Sequence, residues 1–170
     1  MSIVITTERL TLRRYNSDDA IHVAGLLNNP EVSKWLTRVP HPYSVDDAKA
    51  FFDREDTKDN LVFAIAMADK PIGGISLTEE LGYWLGQPYW GKGFATEASH
   101  ALLEHYFTIF TISDVPVRSG HILGNAGSRG VLRKLGFIDQ QIELASSLSV
   151  NRDVEVQKMH LSKTAWEAAQ

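Results

Sequence analysis

Residues 87–98 read QPYWGKGFATEA, with Gly91 and Gly93 flanking Lys92 just ahead of a helical pattern. The first amides of a helix have no partner inside it and carry the positive end of its dipole. Glycines admit an anion to the backbone with no Cβ in the way. Trp90 to Thr96 therefore reads as an anion cradle whose natural guest is a phosphate. It is not a Walker loop, because Gly91-Lys92-Gly93-Phe94 lacks the glycine spacing and the Gly-Lys-Ser/Thr ending. It is not a dinucleotide fingerprint either, since Thr96 stands where a glycine is needed and the loop comes mid-chain. From the glycines alone, a helix start that binds nothing is an equal reading.

A second cluster, NAGSRGVLRKLGF, begins at Asn125. Asn125 caps a helix, Ser128 follows in its first turn, Gly136 closes it and Phe137 packs. Gly127 and Gly130 each cost about 1 kcal/mol relative to alanine inside so short a helix. Close approach of a cofactor would explain them. Arg129, Arg133 and Lys134 could meet nucleotide phosphates or form a solvated helix face. For proton removal, Glu79 and Glu80 precede the run Leu81–Leu85, and His121 lies in a facing strand. A solvated carboxylate and a packing histidine are the plain alternatives. His100 and His105 are five apart and fall on different helix faces, and His22, His41 and His160 have no ligand spacing, so no metal is expected.

The elements that must position these groups follow from pattern. ERLTLRR (8–14) alternates as a half-buried strand. Ser17 caps a helix carrying Ile21, Val23, Leu26 and Leu27. Asn29-Pro30 ends it and starts a short helix through Trp35, and Ser44 opens another with Ala48, Phe51 and Phe52 on one face. Trp35, His41 and Tyr43 in the connection could wall an acceptor cleft or cover the core. LVFAIAMA (61–68) turns at Asp69-Lys70-Pro71 into IGGISL (72–77) as a hairpin, and 81–86 is a further strand. Residues 93–110 form the longest helix, with Ala98, Leu102, Tyr106 and Ile109 inward and Glu97, His100 and Glu104 on the polar side. Leu103 and Phe107 flank that helix as a contact or a covered surface. A strand over 115–123 with Pro116 near its start, a helix over 126–135, strands at 138–144 and 153–161 and a tail helix complete the order. The expected fold class is mixed α/β, a largely antiparallel sheet with one parallel pair joined by a helix.

At 170 residues the chain fits one domain, 1–170. A net charge of -4 gives no electrostatic case for nucleic acid. Without cysteine there is no disulfide, thiolate site or cysteine nucleophile. The amino terminus lacks a signal-peptide core, and no stretch approaches the ~18 apolar residues of a membrane span. A cytoplasmic protein with no membrane partner, monomer or homodimer, is expected.

Taken together, TERLTLRRY, LGYWLGQPYWGKGFATEA and GNAGSRGVLRKLGF resemble the GNAT superfamily of acetyl-CoA-dependent N-acetyltransferases, and within it the Rim-type ribosomal-protein alanine N-acetyltransferases. The resemblance covers residues 5–160. It implies that Trp90, Gly91, Lys92, Gly93, Phe94, Ala95 and Thr96 hold the pyrophosphate of coenzyme A, with Trp90 where the family carries Arg or Gln. It implies that the strand of Leu81, Gly82, Tyr83, Trp84 and Leu85 splays from 119–123 and pairs with the pantetheine arm. Asn125 is then a pantetheine contact. Ser128 lies near the sulfur, where its hydroxyl can meet the leaving thiolate; no tyrosine acid of other branches has a clear counterpart. Arg133 is the basic residue expected to meet the nucleotide. The implied acceptor is a primary amine, which attacks the thioester directly. A protein α-amine, with its pKa near 7.7–8.0, asks less of a base than a lysine near 10.4. A small-molecule amine is the alternative acceptor. A catalytically silent CoA-binding module, or a nucleotide-binding protein without CoA, are the rival classes.

Overall fold

The computed structural model describes residues 3–55, 60–109 and 115–169. Its eight strands are β1 (Ile5–Thr6), β2 (Thr11–Arg13), β3 (Leu61–Met67), β4 (Lys70–Leu77), β5 (Leu81–Leu85), β6 (Val117–Ile122), β7 (Ile138–Ser147) and β8 (Arg152–Leu161). They form one sheet in the order β1-β2-β3-β4-β5-β6-β8-β7. All pairs are antiparallel except β5–β6. The mixed α/β sheet with a single parallel pair therefore matches the order of elements in the sequence.

The helices are α1 (Asp19–Leu27), α2 (Pro30–Ser33), α3 (Val45–Glu55), α4 (Phe94–Ile109), α5 (Ala126–Lys134) and α6 (Lys163–Ala168). Side chains alternate across a strand, and the core divides accordingly. The larger apolar cluster gathers Leu81 and Leu85 of β5 with Phe94, Leu102 and Leu103 of α4, Leu132 of α5 and Trp166 of α6. The smaller one packs α1, α2 and α3 together, with Trp84 against it. Leu103 and Phe107 are thus covered core, not a free flank.

Local chemistry corrects several boundaries. The expected strand over 8–14 shortens to β2, with β1 ahead of it, because Thr7 turns the chain by donating from its amide to Leu10 O while its hydroxyl oxygen accepts from Leu10 N. Asn16, not Ser17, serves the start of α1: its Oδ1 accepts from the amides of Asp18 and Asp19. Asp19 is itself buried in an ion pair with Arg13 at 2.7 Å. α2 stops at Ser33, short of Trp35. Ser44 does open α3, exchanging hydrogen bonds with Asp47. The β3–β4 turn is made by Ala68 and Asp69, both at positive φ. Pro71 lies within β4, opposite Ala66 beside a register shift. Position 110, the expected end of the long helix, lies outside the described residues. α5 ends on Gly136 at φ +94°, with Phe137 N donating to Leu132 O.

Candidate active site

The parallel pair is where the sheet comes apart. β5 and β6 share one register pair, Leu81↔Ser119, fixed further by Ser119 Oγ donating to Leu81 O at 2.7 Å. Beyond it the strands part. Gly86 N donates to Ile72 O on the β4 side, so alternation turns the backbone groups of Leu81, Tyr83 and Leu85 toward β6. Leu81 O is taken by Ser119, and Leu85 O accepts from Trp90 Nε1 at 2.8 Å. The N–H and C=O of Tyr83 are left facing the gap. Trp90 therefore fastens the end of β5 as well as opening the glycine loop.

Past a short 3-10 turn (Gln87–Tyr89), Gly91 and Gly93 adopt φ of +71° and +81°, which L side chains adopt only with strain. The first amide of α4 with a carbonyl partner is that of Glu97, which donates to Gly93 O. Among the described residues no side chain caps this helix. Glu97 is instead held from outside. Thr7 Oγ1 donates to Glu97 Oε1 at 2.6 Å, Arg9 Nε to Oε2 at 2.7 Å, and Arg9 Nη1 to Lys92 O at 3.0 Å. The Arg9 guanidinium also lies 4.6 Å from the centre of the Phe94 ring. Burial pushes the Glu97 carboxyl up, but the Thr7 and Arg9 hydrogen bonds outweigh it and hold it below the ordinary glutamate range. Glu97 was expected on a solvated face. It is the clamp of the loop.

On the opposite lip, Asn125 caps α5 by accepting from Ser128 N at 3.0 Å. The Tyr83 hydroxyl lies 3.0 Å from Ser128 Oγ and 3.1 Å from Ser128 O. Burial pushes the Tyr83 phenol up to about 12, and the hydrogen bond to Ser128 only partly offsets it. Glu80 Oε1 accepts from Lys158 Nζ at 2.7 Å, across β6. Gly120 lies between them in the sheet, opposite Lys158. A Cβ there would come to 3.0 Å from Gln157 O and Val156 Cγ1 and 3.4 Å from Lys158 Cδ, so the bare glycine keeps this crossing open. His121 is buried, with Nδ1 3.2 Å from Ile122 O. A carbonyl only accepts, so Nδ1 is the donor in that contact, and Nε2 is buried with no described partner.

These groups border a cavity of about 1040 Å³ that passes through the gap. At one end lie Trp90, Gly91 and Gly93 to Thr96, and at the other Tyr15, Trp35 and Phe51. Glu80, Leu81 to Leu85, His121, Asn125, Ser128 and Lys158 stand between. Two predicted contacts do not reach it with their side chains. Lys92 Nζ turns back to Pro88 O at 2.8 Å. Arg133 pairs with Asp139, which Arg129 also approaches at 3.4 Å. Lys134 is the basic residue of α5 that borders the cavity. Gly127 and Gly130 border it too, and a Cβ at either would meet no protein atom closer than 3.6 Å. Arg9, the Tyr83 hydroxyl and Lys158 were missed in the sequence. Only Arg9 left a trace, in the alternating run 8–14.

The model of the acetyltransferase (GNAT) domain matches residues 9–138. The chain belongs to the GNAT acetyltransferase family. As a GNAT N-acetyltransferase it has curated relatives among bacteria. It is 29% identical to the uncharacterized N-acetyltransferase p20 of Bacillus licheniformis over 126 residues, 66% of this chain and 70% of p20. It is 26% identical over 148 residues to YdaF of Bacillus subtilis strain 168, named as a candidate ribosomal N-acetyltransferase, covering 78% of this chain and 80% of YdaF. Among solved structures, the microcin C7 self-immunity acetyltransferase MccE, determined with acetyl-CoA and AMP, shares the fold with a TM-score of 0.74 and 17% identity, covering 92% of this chain and 93% of that one. The Rim-type resemblance accords with YdaF. Among the described residues no group of metal ligands occurs, and no helix is long and apolar enough to cross a membrane.

Proposed function

We propose that this GNAT enzyme transfers an acetyl group from acetyl-CoA to a primary amine by direct attack, with a protein N-terminal α-amine as the acceptor. The observation that carries the reading is the parted β5–β6 pair, opening into one cavity bordered by the glycine loop on one side and aromatic walls on the other. The uncapped first turn of α4 and the open space around Gly91 suit a diphosphate. Tyr83 N–H and C=O in the gap suit an amide-bearing arm, as strand edges suit any extended chain.

Acetyl-CoA supplies an activated acyl group whose leaving atom is sulfur. Ser128 stands at the α5 start to offer a hydroxyl to the departing thiolate. On the other face, Glu80 receives the proton of the attacking amine directly or through a water it orders. Its second carboxylate oxygen is open while Lys158 holds the first. Glu80 fits this task better than His121, whose free nitrogen is sealed in the wall. An α-amine is partly neutral near pH 7.7–8.0, so a modest acceptor suffices. YdaF, with its ribosomal name, supports a protein amine over a small one.

The test is acetyl-CoA consumption over a panel of N-terminal peptides and small amines, after a thermal-shift comparison of acetyl-CoA with ATP. Turnover on peptides with free α-amines is expected, together with stabilisation by acetyl-CoA. Binding without turnover on any amine, or stabilisation by ATP alone, overturns the reading. A pH–rate profile unchanged in Glu80→Gln removes Glu80 from its role.

A further inference from the structure

We infer that Tyr83 is a positioning residue that sets which way the Ser128 hydroxyl points, turning Ser128 from an acceptor into a donor when a thiolate forms. The inference rests on the acetyl-CoA reading above and concerns a side chain which that reading uses only for its backbone.

The argument is a count of protons. The Tyr83 hydroxyl has one hydrogen and two neighbours, Ser128 O at 3.1 Å and Ser128 Oγ at 3.0 Å. The carbonyl can only accept. Two arrangements are open, of which the first makes both contacts and the second gives up the one to the carbonyl. In the first, Tyr83 donates to Ser128 O, and Ser128 Oγ spends its own hydrogen on Tyr83 Oη. Ser128 then shows the cavity only lone pairs. In the second, Tyr83 donates to Ser128 Oγ, and the serine hydrogen is free to turn into the cavity. A neutral thioester is met equally by either. A sulfur anion needs a donor and selects the second, in which the bond received from Tyr83 strengthens the bond Ser128 gives.

The fold keeps both partners in register. Ser128 is fixed at its amide by Asn125 Oδ1. Tyr83 is fixed by the β4–β5 ladder at Ile75. Burial keeps the phenol protonated throughout the physiological range, so it always has a hydrogen to give. The backbone of Tyr83 faces the gap and its ring packs on the α4–α5 side, placing strand and hydroxyl pair beside the same opening.

The readout is the thiol pKa of bound CoA, followed by ultraviolet absorbance of the thiolate in a pH titration, with no acetyl transfer involved. In the parent protein the bound thiol titrates below free CoA. Tyr83→Phe should raise its pKa by about one unit, a tenfold loss of thiolate at fixed pH. Ser128→Ala should raise it at least as far, and Tyr83→Phe added to Ser128→Ala should change nothing more. Replacing Tyr83 by 3-fluorotyrosine, a more acidic phenol of nearly the same shape, should move the pKa in the opposite direction, which a packing defect cannot do. A thiol pKa unchanged by Tyr83→Phe, or shifted equally with and without Ser128, overturns the inference while leaving the CoA site intact. Failure of the parent to bind CoA at all sinks the site itself.

Discussion

α4 follows β5 and α5 follows β6, so the two helices begin on opposite lips of the same gap, each with glycines nearby. α5 closes its own first turn, with Asn125 Oδ1 accepting from Ser128 N. α4 does not, and the acid in its first turn is drawn away by Arg9 and Thr7. An acid there ordinarily leans on the free amides and the dipole. With its charge committed to Arg9, Glu97 neither fills the amides nor repels an incoming anion. One helix start is therefore kept vacant for a ligand's charge. The other is filled by the protein itself and serves to aim a hydroxyl. Similar local sequence signals thus build a binding end and a positioning end, and the difference lies in what the capping groups touch.

That contrast breaks most sharply at Ser128. Ser128→Ala should lower kcat on the order of 10²-fold, the usual scale of proton-donor catalysis. The acetyl-CoA KM should stay within about threefold, because binding belongs to α4; steady-state kinetics with varied acetyl-CoA checks both. A comparable rise in KM would mean that the two helix starts share their tasks. The converse test is Arg9→Ala. It frees Glu97 beside the amides, and losing charge-assisted hydrogen bonds of about 1.5–3 kcal/mol should weaken acetyl-CoA binding by about tenfold or more with kcat little changed. Adding Glu97→Gln to Arg9→Ala should recover part of the loss in a calorimetric titration. The same clamp sets an acid limit. Because the folded Glu97 pKa lies below its ordinary value, the clamp's contribution is complete above the usual glutamate range and is lost as pH falls through the lowered value.

Much of this architecture was legible. The continuous apolar run of β3, buried on both faces like β4 beside it, and the helix spacing of α3 to α5 placed those elements within a few residues. The glycine loop, the Asn125 cap and the Gly136 stop are local chemistry, readable wherever one side chain meets backbone within four residues. The unreadable parts are contacts between elements distant in sequence. Thr7 and Arg9 meet Glu97 from about ninety residues away, so Glu97 looked like one more acid on a polar face. Lys158 reaches Glu80 over Gly120, and nothing in either segment announces the other. Tyr83 shows the same limit within one residue: its place in β5 was evident, whereas its hydroxyl partner on α5 depends on how far the two strands part.

The smaller tests separate filled from vacant ends more finely. Asn125→Ala removes a capping acceptor and should cost about 1 kcal/mol, a fall in Tm of about 2–4 °C for a chain of this size. Any loss of kcat beyond that follows from a Ser128 backbone no longer held, while acetyl-CoA affinity stays near the parent value. The least effect belongs to Arg133. Its guanidinium is half exposed and committed to Asp139, where burial raises the carboxyl and the Arg133 and Arg129 contacts more than reverse it. Exposed pairs of this kind contribute little, and the residue does not border the cavity. Arg133→Gln should therefore leave acetyl-CoA affinity within about twofold, even at low ionic strength, where screening is weakest and any real phosphate contact would show most strongly. A clear loss of affinity at low salt, fading as salt rises, would show that Arg133 leaves Asp139 to meet the nucleotide and that α5 also takes ligand charge.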